Sequence, residues 1–100
     1  MTINKTADGD ALTISLSGRL DTTTAPELEE ELKSSLEGIN SLSFDFKELA
    51  YISSAGLRVL LSAQKTMNKK AGGAMKIKNA NDEIREIFDV TGFSDILDIE

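Results

Sequence analysis

The chain has 100 residues, with 40% hydrophobic residues, 7 glycines, no cysteine, no histidine and a formal net charge of −6. That length fits one domain spanning residues 1–100, large enough for its own core and ordinary in composition for a soluble globular protein. Lacking Cys and His, it has no disulfide, thiolate nucleophile, Cys-ligated zinc or Ser-His hydrolase pair, and its acidic balance opposes a nucleic-acid backbone as partner.

Met1 to Lys5 lack the basic start and apolar block of a secretory leader, and no apolar run approaches the ~20 residues of a membrane span. A cytoplasmic chain with no membrane partner is expected. Ile3 to Ala7 reads as an edge strand. Asp8-Gly9 is a tight-turn pair, followed by Leu12, Ile14 and Leu16 alternating with Thr13, Ser15 and Ser17. The opening is therefore a hairpin.

Gly18-Arg19-Leu20-Asp21 leads into a helix. Thr24 and Glu27 have capping-box spacing, and Pro26 is tolerated in a first turn. Leu28, Leu32 and Leu36 make the apolar stripe, with Ala25 and Ser35 beside it. Glu27, Glu29, Glu30 and Glu31 form a solvated face, where Glu29 can reach Lys33 at i+4. Gly38 ends the helix. Leu42, Phe44 and Phe46 then alternate with Ser43, Asp45 and Lys47, a strand with one buried face. After a short connection the period becomes helical: Gly56, Leu57, Val59, Leu60, Leu61, Ala63 and Met67, starting at Ser54 or Ala55. Lys69, Lys70, Gly72 and Gly73 close that helix. Met75 and Ile77 alternate with Lys76 and Lys78 as another strand. Asn81 caps a helix with Ile84, Ile87, Phe88 and Thr91 on one face, stopped by Gly92. Ile96, Leu97 and Ile99 form a short final strand or a docked tail.

Each clear strand has one polar face, whereas sheets covered on both sides read as continuous apolar runs. The helices should therefore lie mainly on one face of a mixed α/β sheet. The sheet has four to five strands, parallel after the hairpin. The expected core includes Leu12, Ile14, Leu16, Phe44, Phe46, Leu57, Leu60, Leu61, Ile77, Ile84 and Phe88.

Ser53 and Ser54 stand where the strand-side loop becomes a helix. Position alone leaves two readings open: an N-cap, or an anion site at the first N–H groups, holding a bound phosphate or one carried by serine. The run Asp45-Phe46-Lys47-Glu48-Leu49-Ala50-Tyr51-Ile52-Ser53-Ser54-Ala55-Gly56-Leu57-Arg58-Val59-Leu60 resembles the signature of STAS-domain anti-sigma factor antagonists. Leu16 to Asp21, Lys70 to Gly73 and Phe88 to Phe93 resemble further landmarks of that family, in the same order.

The resemblance implies a STAS-like fold and a corner serine phosphorylated by a partner kinase. Many members carry Asp-Ser-Ser-Gly or Asp-Ser-Thr-Gly there. Aligned on Gly56, Ser53 replaces the Asp and Ser54 takes the acceptor position, with Ser53 the second choice. Asp21 matches an acidic position beside the acceptor, and as a loop acid near a helix start it has an ordinary explanation too. Partner contact is implied at Asp21, Thr22, Thr23, Ser53, Ser54, Ala55, Gly56 and Arg58. Gly56 serves either close approach of a partner or close helix–sheet packing.

By resemblance the unmodified protein binds an anti-sigma factor that is also a serine kinase, freeing a sigma factor. Phosphorylation ends the complex and a phosphoserine phosphatase resets it. No cofactor or metal is implied for this chain, since Mg-ATP belongs to the kinase. The alternative is a STAS sensor module binding an anion or nucleotide at the helix start, although neither G-x-x-x-x-G-K-[ST] nor G-x-G-x-x-G is present. A hydrolase built on Ser54 would need a lysine base, and only Lys47 falls near the corner in sequence.

Overall fold

A computed structural model describes residues 1–100. The hairpin is β1 (Thr2–Asp8) with β2 (Ala11–Leu20), and it is followed by α1 (Ala25–Ser35) and β3 (Ser41–Ile52). Next come α2 (Ser54–Asn68), β4 (Ala74–Lys78), α3 (Asp82–Thr91), a 3₁₀ turn at Phe93–Asp95 and β5 (Asp98–Ile99). The five strands lie in one sheet in chain order. β1 and β2 are antiparallel, and every later neighbour is parallel. The final segment is a two-residue strand, with exposed Ile96 and buried Leu97 ahead of it.

The hairpin turn is one residue later than the sequence suggests. Asp8 pairs with Ala11, so Gly9 and Asp10 make the turn, and Gly9 takes a φ of 63° that only glycine adopts freely.

All core-facing strand residues point to one side. Leu12, Ile14, Leu16, Leu42, Phe44, Met75 and Ile77 are buried, while Thr13, Ser15, Ser43 and Asp45 are half-buried and Lys76 and Lys78 exposed on the other. The helices cover the apolar side, and the polar side carries none. Ala25, Leu28, Leu32 and Leu36 bring α1 onto the core; Leu57, Val59, Leu60, Ala63 and Met67 bring α2; Ile84 and Phe88 bring α3. Phe44 and Phe46 sit with ring centroids 5.9 Å apart in a tilted pair. Each fully buried Leu or Phe side chain contributes about 1.5–3 kcal/mol relative to exposure.

Four further expectations change. First, β3 runs twelve residues rather than stopping near Lys47. Against β2 it carries two extra residues: Ser15 pairs with Asp45 but Ser17 with Glu48, and Gly18 pairs with Leu49 but Arg19 with Tyr51. Each bulge resets the alternation, so the buried positions after Phe46 are Leu49 and Ile52. Second, Thr24 precedes α1 but makes no side-chain cap bond to it. Third, Leu61 lies at the edge of the α2 stripe and is only half-buried, while Gln64 is buried and bonded to Asn68 Oδ1 at 2.9 Å. Fourth, Lys33 pairs with Glu30 at 3.5 Å instead of with Glu29, and Glu31 pairs with Lys5 of β1.

Lys70 reaches back across the layer. Its ammonium donates to the Leu36 carbonyl and to the Ile39 carbonyl, the latter at 2.7 Å, satisfying oxygens where α1 ends. Asn81 accepts from the Ile84 N–H at 2.8 Å as the α3 cap, and Gly92 ends that helix at φ 82°.

Candidate functional site: the corner between β3 and α2

The site forms where β2 and β3 end side by side. Leu20 pairs with Ile52, and the next N–H, that of Ser53, donates to the Leu20 carbonyl at 2.9 Å. Ser53 has extended backbone angles and its carbonyl accepts the first helical bond, from Leu57 at 3.0 Å. Its hydroxyl accepts from the Gly56 N–H at a long 3.5 Å. Ser53 is therefore the α2 cap. Ser54 occupies the first helical position, exposed, with its hydroxyl outside the hydrogen-bond network. The two serines share the corner but not the task.

Gly56 is buried, and the reason is internal. A Cβ there would lie 2.8 Å from Ile52 Cγ1, 2.8 Å from Leu20 Cγ and 3.0 Å from the Leu20 carbonyl oxygen. The missing side chain lets α2 start directly against the ends of β2 and β3.

The chain leaves β2 through a turn organised by Asp21. Its Oδ1 accepts from the N–H groups of Thr23 at 3.0 Å and Thr24 at 3.2 Å, while its own N–H donates to Thr24 Oγ1 at 2.9 Å. Thr24 Oγ1 in turn donates to the Arg19 carbonyl at 2.7 Å. This reciprocal pair starts the turn before α1 and takes the hydroxyl that the Thr24–Glu27 spacing had assigned to a capping box. The Thr24 N–H bond is the largest influence on the Asp21 carboxyl; burial opposes it, and the Thr23 N–H, the Thr24 hydroxyl and the Arg19 charge add to the lowering, so the carboxyl is held below the ordinary carboxylate range. Asp21 is anionic at neutral pH, one residue beyond the paired strand ends. No hydrogen bond joins it to either serine.

Arg19 extends over the helix-free face. Its guanidinium lies 4.4 Å from the Tyr51 ring centroid, and its Nε is 3.6 Å from Asp21 Oδ2. Sequence reading missed this pair, because the Arg19–Tyr51 register exists only through the second bulge of β3.

Beside the corner, α1 and α2 diverge around a groove of about 290 Å³ lined by Thr22, Ala25, Pro26, Glu29, Ala55, Arg58, Val59 and Ser62. The groove brings together three of the expected contact residues, Thr22, Ala55 and Arg58. Asp21, Thr23, Ser53, Ser54 and Gly56 lie outside its lining, on the turn and corner above it. A second depression of about 280 Å³ continues between the same helices and shares Glu29, Val59 and Ser62. The lysines of the second depression are already engaged, Lys33 with Glu30 and Lys70 with the Leu36 and Ile39 carbonyls, and the first depression holds no lysine. Lys47 lies six residues before Ser53 on β3, which at ~3.3 Å per residue is roughly 20 Å. The hydrolase reading ends there.

The family model for the STAS domain matches residues 2–100. The chain belongs to the STAS domain family. Its relatives include the anti-sigma-B factor antagonist of Bacillus subtilis (strain 168), 36% identical over 86% of this chain and 78% of that protein. The anti-sigma-B factor antagonist of Listeria monocytogenes is 33% identical over 96% of this chain and 84% of that protein. Among solved structures, an anti-sigma factor antagonist from Mycobacterium paratuberculosis superposes with a TM-score of 0.85 at 21% identity, covering 98% of this chain and 83% of that one. Unphosphorylated SpoIIAA gives 0.77 at 14% identity over 99% and 87%, a likeness of fold. The STAS antagonists are non-enzymatic regulators, and this STAS domain is one of that kind. No helix is long and apolar enough to cross a membrane.

Proposed function

We propose that this STAS domain is a phosphorylation-controlled partner switch in the cytoplasm. Its unmodified form binds an anti-sigma factor that doubles as a serine kinase, and so releases a sigma factor. The names of the curated relatives support the antagonist role. The observation that carries the switch is the division of labour at the corner: Ser53 is used by the fold, while Ser54 offers a free, exposed hydroxyl on the first turn of α2.

In the transfer, Ser54 Oγ attacks the γ-phosphorus of ATP held by the kinase. The bond to ADP breaks, and the hydroxyl proton passes to a base of the kinase. Asp21, already ionised and fixed by its own turn, helps present the serine without taking part in the chemistry. The product carries about −1.5 to −2 charge at neutral pH. At a helix start the fold tolerates that charge. A partner covering the corner does not, because desolvating the phosphate costs several kcal/mol unless a cation meets it. A phosphatase then restores the binding form.

A nucleotide-binding sensor finds less support. The groove beside the corner sets Glu29 among its lining residues with Arg58 as the sole cation, and no glycine-rich loop surrounds it. The test is incubation with ATP and a kinase recovered by affinity on the unmodified protein, followed by mass mapping. Phosphate should appear on Ser54 and disappear in Ser54→Ala. Phosphate on Ser53 would overturn the assignment.

A further inference from the structure

Arg58 is exposed one helical turn beyond Ser54 and belongs to no ion pair in the unmodified protein. Residues at i and i+4 of a helix place their Cβ atoms about 5–6 Å apart, and an anion N-terminal to a cation is the better orientation. The other cation by the corner is committed: Arg19 lies over Tyr51 and against Asp21. Glu29 lines the same groove as Arg58 but is not within ion-pair distance of it. The guanidinium is therefore free, and its fork of N–H donors matches a phosphate dianion.

We propose that Arg58 is the internal counter-ion of the phosphate on Ser54. This rests on the reading of Ser54 as the modified residue and adds a regulatory role to a neighbouring side chain. In the unmodified form Arg58 faces the groove beside Thr22 and Ala55, available to a partner. After modification the phosphate recruits it along α2. The partner then meets a new anion and loses a cation at once. Both changes make the local surface more negative for a partner that had used Arg58, while the pairing offsets part of the desolvation penalty of the phosphate itself. The helix keeps its shape, because the pair lies on its outer face.

The experiment installs phosphoserine at position 54 by genetic encoding, in the otherwise native chain, in Arg58→Gln and in Arg58→Lys. Phosphorus NMR follows the second ionisation of the phosphate through pH. Asp21, Glu29, Arg19 and the first-turn N–H groups of α2 are common to all three proteins, so differences report on residue 58. The Arg58→Gln phosphate should ionise about 0.15–0.4 pH unit higher than the native one, the equivalent of one helical ion pair, with Arg58→Lys between them. Coincident titrations in the three proteins would overturn the proposal. Because the phosphate is built in, that result holds whether or not a kinase uses Ser54. Failure of a kinase to modify Ser54 would strike the functional reading alone.

Discussion

Replacing Gly56 with alanine adds one methyl group at the tightest point of the corner. Two of the three atoms it would meet are 2.8 Å away on Ile52 and Leu20, both buried, and the third is the Leu20 carbonyl oxygen at 3.0 Å. That oxygen already accepts the Ser53 N–H at 2.9 Å, so α2 cannot lift away without straining the bond that closes the corner. Overpacking of this kind costs about 1–3 kcal/mol. Alanine returns up to about 1 kcal/mol through its higher helix propensity, since Gly56 lies in the first turn of α2. Taking the middle of each range, about 2 against about 0.5 kcal/mol, the net loss should be about 1.5 kcal/mol, and at ~4–8 °C per kcal/mol the melting temperature falls by roughly 6–12 °C. Differential scanning calorimetry on the two purified proteins measures this. An unchanged or higher Tm would refute the packing argument and return Gly56 to a role in partner approach.

Leu60 is fully buried on α2 against the sheet, so Leu60→Ala should cost about 2–5 kcal/mol in urea unfolding; a change below about 0.5 kcal/mol would place α2 in the wrong phase. The folded Asp21 carboxyl is held below its ordinary range, so its stabilisation is complete above the unfolded pKa and fades as pH falls through the folded pKa. The stability gap between wild type and Asp21→Ala should therefore narrow on acidification; a gap that widens in acid would contradict the turn described for Asp21.

The parts of the fold legible in the sequence were those governed by a single undisturbed period. Leu42, Phe44 and Phe46 alternate before the first bulge, and the α2 stripe repeats over four turns, so both segments were readable. Residues 47–52 were not, because two inserted residues shift the phase twice and make a continuous strand look like a loop. The turn before α1 was misread for a different reason. Thr24 has the spacing of a capping box with Glu27, but the Asp21 carboxylate and N–H compete for the same groups three residues earlier. Leu61 and Gln64 exchanged burial at the margin of a helical stripe, where periodicity discriminates least.

At the site, the corner residues were legible through the family resemblance, and the separate tasks of Ser53 and Ser54 required the cap geometry. Thr22, Ala55 and Arg58 share a groove that also uses Pro26, Glu29 and Ser62, and nothing in the sequence links those residues before α1 and α2 are packed together.

The most direct measurement of the central claim is the affinity of the partner kinase for the unmodified protein and for the same protein phosphorylated on Ser54, with a melting curve for each. Phosphorylation should weaken the complex by about 10²-fold or more, each ~1.4 kcal/mol of desolvation penalty being a factor of ten, while Tm moves by a few degrees at most. Equal affinity for the two forms, or a phosphoprotein that melts far earlier, would contradict it.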